Sequence, residues 1–198
     1  MEILGKGAEA EIYKEGNKII KDRISKGYRL KELDEKIRKL RTKSEKKLLD
    51  KASEIVNVPK ILNQEKFKLE LEFIEGLKLS EYLDKLETKN EVCFKIGKEL
   101  SKLHEKEIIH GDLTTSNLIL KDKKIYFIDF GLGFVSSKIE DMAVDIHLFR
   151  QALESKHYKI YLECYESFLK GYRTFSKYLE VIKRLDKVEK RGRYKDRL

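Results

Sequence analysis

The chain has 198 residues, 40% of them hydrophobic and 40% charged, enough for one compact or bilobal domain with its own core. Its formal net charge of +9 comes from 44 Lys/Arg against 35 Asp/Glu. No run of eighteen apolar residues and no charged-then-apolar leader occurs, so the sequence favours a cytoplasmic protein with no membrane contact over a membrane or secreted one. Cys93 and Cys164 stand isolated, without ligand spacing, and read as buried free thiols in a reducing compartment.

In chain order, Ile3-Leu4 and Ile12-Tyr13 flank Gly5-Lys6-Gly7-Ala8-Glu9-Ala10. Strand, glycine turn and strand suit a loop whose backbone N–H groups close over phosphates, which makes Gly5, Lys6, Gly7, Ala8 and Glu9 candidate nucleotide contacts. Ala10 stands where a third glycine is usual, so a stiffer loop is expected. The next strand, Lys18-Ile19-Ile20-Lys21, ends on a lysine suited to pairing with α- and β-phosphates, although a solvated surface lysine is the plain alternative. Leu30, Leu33, Ile37, Leu40, Ser44 and Leu48 then recur at spacings of three and four, predicting an amphipathic helix from about 30 to 55 whose stripe suits a packed helix or equally a coiled-coil arm. Glu45 lies beside the stripe as the preferred ion-pair partner of Lys21, with Glu54 as the alternative.

After Pro59, Lys60-Ile61-Leu62 and Phe67 to Ile74 read as strands; the second alternates Phe67, Leu69, Leu71 and Phe73 with Lys68, Glu70 and Glu72 and ends at Gly76. Residues 79–86 and 89–107 read as helices. The sequence therefore predicts an α+β, bilobal domain: a β-rich first lobe at 1–76, a reduced helical second lobe at 77–186, and a basic tail at 187–198, with a cleft between the lobes.

The most specific segment follows. His110-Gly111-Asp112-Leu113-Thr114-Thr115-Ser116-Asn117 precedes two short apolar strands, Leu118 to Leu120 and Ile125 to Ile128, joined by the polar turn 121–124, and then Asp129-Phe130-Gly131. The hairpin brings its outer ends together, so Asn117 enters where Asp129 leaves. Both offer hard oxygen ligands suited to Mg²⁺ bridging ATP phosphates, and Asp112 is placed to orient a hydroxyl or water or take its proton. This order of residues is that of protein-kinase-like phosphotransferases, in which Glu72, Phe73 and Ile74 form the hinge meeting the adenine edge. Gly111 stands where an arginine would read a phosphorylated activation loop. About nine residues separate Gly131 from a helix starting at Ile139 or Glu140, and no Ala-Pro-Glu follows, leaving little room for an activation segment. On that helix Asp145 is expected to brace the catalytic loop and Asp141 to be a plain helix-start residue.

The positive charge is localised. Residues 18–48 hold thirteen Lys/Arg against five Asp/Glu, and residues 187–198 hold six against two. The tail reads as a flexible arm for RNA phosphate or an acidic partner, with Tyr194 available to stack on a base.

Lys26-Gly27-Tyr28-Arg29, Arg41-Thr42-Lys43-Ser44-Glu45, the His110–Asn117 segment and Asp129-Phe130-Gly131-Leu132-Gly133 together resemble the small atypical serine/threonine kinase of the KEOPS tRNA-modification complex, over almost the whole chain. The resemblance implies a minimal kinase fold, ATP and Mg²⁺ binding, autophosphorylation and ATPase activity. It implies work beside the subunit that makes threonylcarbamoyl-adenosine in tRNA, separate or fused to it, with a small subunit on the first lobe, a dimerising subunit, and tRNA near the basic tail. The start at Met1 just before the glycine turn suits a separate protein or, equally, a domain cut from a longer one. On this resemblance Asp112 is the catalytic aspartate, Asn117 and Asp129 the metal ligands, and Lys21 with Glu45 the phosphate-positioning pair. A RIO-type or small-molecule kinase and a non-catalytic ATP- or tRNA-binding scaffold are the competing readings.

Overall fold

Short alternating apolar segments pair into sheet before a long helix intervenes. The computed structural model describes residues 2–7 and 9–195, with side chains through Lys190. Strands β1 (Glu2–Lys6), β2 (Glu11–Glu15) and β3 (Lys18–Asp22) form an antiparallel meander. Helix α1 (Lys31–Ser53) follows, and then β4 (Ile61–Gln64) and β5 (Lys68–Glu72). The sheet order is β1-β2-β3-β5-β4, with Lys21 of β3 opposite Leu69 of β5. Alternation in β5 buries Leu69 and Leu71 towards the core.

The second lobe opens with β6 (Leu77–Lys78) and one helical turn, α2 (Leu79–Tyr82). A 3₁₀ turn at Leu83–Lys85 completes what the sequence reads as a single helix. Helix α3 (Lys89–Glu105) leads to β7 (Ile108–Ile109) and a 3₁₀ turn at Thr115–Asn117. Strands β8 (Leu118–Lys121) and β9 (Lys124–Phe127) form the expected hairpin, its Asp122-Lys123 turn in the left-handed region. A two-residue strand β10 (Phe134–Val135) pairs back onto β7, and α4 (Ile139–Lys156), α5 (Tyr161–Tyr172) and α6 (Tyr178–Lys195) complete the lobe. The core runs through both lobes, from Leu48, Leu49 and Ala52 of α1 to Phe127, Phe149, Phe168 and Tyr172.

Helices α3 and α5 approach at backbone contact. A Cβ at Gly97 would lie 2.0 Å from the Phe168 carbonyl oxygen, and one at Gly171 2.0 Å from that of Phe94. Cys93 of α3 and Cys164 of α5 are both buried free thiols beside this contact and influence each other's ionisation. The Cys164 thiol and burial push the Cys93 thiol up, keeping it protonated.

Two expectations need correction here. Along α1 the stripe does not pack as one face: Leu30 is 80% exposed and Leu40 56%, while Asp34, Thr42, Glu45, Leu48, Leu49 and Ala52 are buried. In the first half of the helix ion pairs select the buried face. Asp34 is held by Arg38 at 2.7 Å, and Glu45 is held by residues of β3 and just beyond it. The basic stretch from 187 is not a flexible arm over its described part. Helix α6 runs unbroken to Lys195, and Arg150 holds Glu189 at 2.7 Å. The Tyr194 side chain and residues 196–198 lie outside the described residues.

Candidate active site

β3 presents Lys21 inward because side chains alternate across the strand, and Arg23 repeats that direction two residues on. Both are buried, as is Glu45, which reaches them from α1. Lys21 Nζ lies 2.8 Å from Glu45 Oε1 and 2.5 Å from Asp129 Oδ1, and Arg23 Nη2 donates to Glu45 Oε2 at 2.5 Å. Burial of Lys21 works against its charge, but the Glu45 and Asp129 carboxylates outweigh it and hold the ammonium above its ordinary range. At Asp129 burial likewise opposes ionisation. The Lys21 charge and hydrogen bond, with the Gly131 N–H at 3.0 Å, outweigh it and hold the carboxyl below its usual range. Asp129 carries this at a positive φ of 64°.

The loop before the hairpin is set from behind. Asp145 of α4 accepts the N–H of His110 at 2.7 Å and that of Gly111 at 2.8 Å, which is the expected brace. The brace continues: His104 Nε2 lies 3.3 Å from Asp145, and its Nδ1 lies 2.7 Å from the Tyr172 hydroxyl. Burial holds His110 below its ordinary pKa. As a neutral ring it accepts the Asp112 N–H on Nδ1 at 3.3 Å and donates from Nε2 to the Ile128 carbonyl at 3.2 Å. Asn117 donates its amide N–H groups to the Asp112 main-chain oxygen and to Oδ2, both at 2.9 Å. The 3₁₀ turn carrying Asn117 is tied by Thr115 Oγ1, 3.1 Å from His157 Nε2, and His157 Nδ1 bonds Asp84. Asp141 is more than a helix-start residue, since its Oδ2 accepts the Ser136 hydroxyl at 2.5 Å and fastens the short segment after Gly131.

A cavity of about 380 Å³ lies between the lobes. Lys21, Glu45, Asn117 and Asp129 line its polar end; Ile12, Ile19, Leu71, Ile74, Ile119 and Ile128 line its apolar end. Of the predicted nucleotide contacts, Gly5, Lys21, Glu72 and Ile74 reach it. Lys6, Gly7 and Glu9 are not part of its wall, because Glu9 is drawn outwards to Arg29 and Arg41; Ala8 lies outside the described residues. At the predicted hinge, Glu72 N–H bonds the Lys60 carbonyl and Phe73 N–H the Asn17 carbonyl. Among the described residues, this makes Ile74 the hinge position whose N–H is not taken by another strand or loop.

The donor set fits Mg²⁺. Asn117 uses its nitrogen on Asp112, so its carbonyl oxygen is the atom left to ligate, and Asp129 engages Lys21 and Gly131 through Oδ1, leaving Oδ2. Among the described residues no group of three or more His, Cys, Asp or Glu is placed to hold a metal ion by itself. Mg²⁺ does not need one, since it is commonly held by one or two carboxylates with phosphates and waters. Arg23, His104 and Tyr172 escaped the sequence reading. Arg23 left a signal, the period-two spacing from Lys21 on a strand; His104 and Tyr172, 68 residues apart, left none.

A five-stranded sheet with one ion-paired helix, a hinge and a helical lobe bearing this loop define a protein-kinase-like fold. The RIO domain family model matches residues 8–141. Over its full length the chain is 42% identical to the KEOPS complex subunit Bud32 of Pyrococcus abyssi, covering 98% of that protein. It is 38% identical to a probable serine/threonine-protein kinase BUD32 homolog of Archaeoglobus fulgidus, over 97% of this chain and 96% of that one. A probable bifunctional tRNA threonylcarbamoyladenosine biosynthesis protein of Methanocaldococcus jannaschii is 42% identical over 97% of this chain, which spans only 37% of that relative. The Rio2 kinase of Chaetomium thermophilum, solved as an ADP/Mg²⁺-phosphoaspartate complex, superposes with a TM-score of 0.64 over 95% of this chain and 70% of that one, at 14% identity. The chain belongs to the RIO-domain family and, within it, to the Bud32 kinase-like proteins.

Proposed function

We propose that the chain is an ATP- and Mg²⁺-dependent atypical serine/threonine kinase with ATPase activity that supports threonylcarbamoyl-adenosine formation in tRNA within a KEOPS complex. The observation that carries this is Lys21 held between Glu45 and Asp129 at the polar end of the interlobe cavity, with Asn117 and Asp112 beside it. The apolar end suits an adenine ring, with the Ile74 N–H as its hinge donor. Lys21 neutralises phosphate charge, and Glu45, locked from behind by Arg23, fixes where the ammonium points. Asn117 and Asp129 are the ligands for Mg²⁺, which supplies charge stabilisation on the phosphate oxygens. Asp112, oriented by the Asn117 amide, aligns the attacking hydroxyl or water and accepts its proton.

The short segment after Gly131 favours ATP hydrolysis and autophosphorylation over a role on protein substrates in general. Strand β10 folds it onto β7, and Ser136 N–H bonds the Glu107 carbonyl at 2.8 Å, so this segment is fastened to the lobe and is not an extended loop. Relatives named as a KEOPS complex subunit and as a bifunctional tRNA threonylcarbamoyladenosine biosynthesis protein support partners in such a complex, and the proposed partner is its threonylcarbamoylating subunit, separate or fused. A small KEOPS subunit on the first lobe and tRNA near the basic C-terminal stretch complete the proposed assembly. Among the described residues no helix is long and apolar enough to cross a membrane.

The test is phosphate release from ATP with and without the threonylcarbamoylating subunit and tRNA, for the native chain, Asp112→Ala and Asp129→Ala. Loss of either carboxylate is expected to cost about 10²-fold or more. Unchanged hydrolysis in both variants would sink the assignment, and nucleotide binding without turnover under every partner condition would favour a scaffold.

A further inference from the structure

Glu9 sits in the glycine turn between β1 and β2, where a phosphate-binding loop would place a contact, yet its carboxylate faces α1. Its Oε1 accepts from Arg29 Nη2 at 3.2 Å, and its Oε2 lies 2.5 Å from Arg41 Nη1. Burial alone would raise the Glu9 carboxyl; the hydrogen bonds from Arg41 and Arg29 outweigh it and hold the group below its ordinary range, so it is ionised at neutral pH. The turn is tight, with the Gly7 N–H on the Ala10 carbonyl at 2.9 Å, so a tether at Glu9 fixes the turn as a whole. Arg29 is itself anchored to the start of α1, 3.6 Å from Asp34.

Arg41 and Glu45 lie one helical turn apart, on adjacent parts of one face of α1. Arg41 holds the glycine turn through Glu9, and Glu45 holds Lys21. One helix therefore grips Lys21, which lines the cavity, and the turn that follows Gly5 of its wall. An isolated, partly exposed ion pair contributes little. Here two arginines converge on one carboxylate.

We propose that Glu9, Arg29 and Arg41 form a latch that sets the glycine turn over the cavity, making Arg41 a positioning residue for the nucleotide; this rests on the reading of the cavity as an ATP site. Glu9 is then an internal tether and not a ligand contact. A displacement of α1 moves the turn and the Glu45–Lys21 pair together, so loop closure and lysine positioning are one motion.

Amide hydrogen exchange over the peptide containing the glycine turn, in the nucleotide-free chain, reads the latch without any assumption about ligand. Fluorescence titration with ATP and Mg²⁺ reads its link to binding. Glu9→Gln and Arg41→Gln are each expected to speed exchange several-fold and to weaken ATP binding roughly two- to five-fold. In turnover, KM for ATP should rise with kcat nearly constant. The double variant Glu9→Gln with Arg41→Gln should lose no more than Glu9→Gln alone, because both changes break the same ion pair. Unchanged exchange in Glu9→Gln, additive losses in the double variant, or faster exchange with unaltered ATP affinity overturns the latch. Failure of the native chain to bind ATP instead overturns the nucleotide reading of the cavity, and the exchange data still judge whether Glu9 and Arg41 hold the turn.

Discussion

Arg23 and Glu45 are joined at 2.5 Å in the interior of the first lobe, each almost fully buried, and this pair stands directly behind the lysine that borders the cavity. Glu45 therefore carries two cations on its two oxygens. Removing Arg23 leaves half of that buried carboxylate uncompensated. Arg23→Met should destabilise the fold by about 3 kcal/mol or more, since breaking one side of a buried pair strands the other charge. Chemical denaturation measures it. In turnover the variant should lose rate beyond what its folded fraction explains, because Lys21 is no longer aimed.

The Asp129 carboxyl is depressed in the folded state, so its contribution to stability is complete above the ordinary carboxylate pKa near 4. That contribution is lost as pH falls through the lower folded value. The stability difference between the native chain and Asp129→Asn should accordingly be flat from about pH 5 to pH 8 and shrink below about pH 4. A difference independent of pH down to 2 would contradict the ion pair with Lys21.

His110 behaves in the opposite chemical sense but with the same sign. Its folded pKa is lowered by burial, so below about 6.5 the unfolded chain binds a proton that the folded one refuses. Stability should fall as pH drops from about 7, until the folded value is reached. His110→Asn should remove that slope. Equilibrium unfolding at a series of pH values is the measurement.

The Thr115 hydroxyl ties the turn bearing Asn117 to His157, which in turn bonds Asp84. Thr115→Val keeps the volume and cuts the chain of bonds at its inner end. An unsatisfied buried imidazole nitrogen should cost about 1–3 kcal/mol, read by denaturation. Phosphate release should show a raised Mg²⁺ requirement as Asn117 loses its fixed position.

At Gly97 the α3–α5 contact has no room for a methyl group. Gly97→Ala should destabilise by about 2–4 kcal/mol despite alanine's better helix propensity, as overpacking against backbone cannot be relieved by a rotamer change. A stabilised variant would show that the helices can separate freely.

The residues whose meaning lies in order along the chain were legible before the structure. Lys21, Glu45, Asn117 and Asp129 converge on one cavity because a strand, a helix and a hairpin of the expected lengths bring them there. The hairpin register, Leu118 opposite Phe127, follows from its two-residue turn. Direction around a helix was less legible. Leucine spacing located α1 but did not fix its inward face, because Asp34 and Glu45 turn inwards for their partners while Leu30, Leu33 and Leu40 stay outside. The direction of one side chain in a turn was not legible at all. Nothing in Gly5 to Ala10 says that Glu9 points to Arg41, since that depends on where α1 lies in space. The bonds from Tyr172 through His104 to Asp145 join α5, α3 and α4, elements whose mutual packing no local pattern encodes.

Gly111 adopts φ +78°, and a Cβ there would meet the Leu132 carbonyl oxygen at 2.3 Å. Glycine at this place is thus required by the segment that crosses it, which is itself short and stitched to β7. An arginine introduced alone would break the crossing before it could meet any phosphate group. Insertion of a longer segment alone would find no cation to receive it. Arginine at 111 and a longer crossing segment are therefore coupled changes, and neither alone would make this loop responsive to a phosphate group.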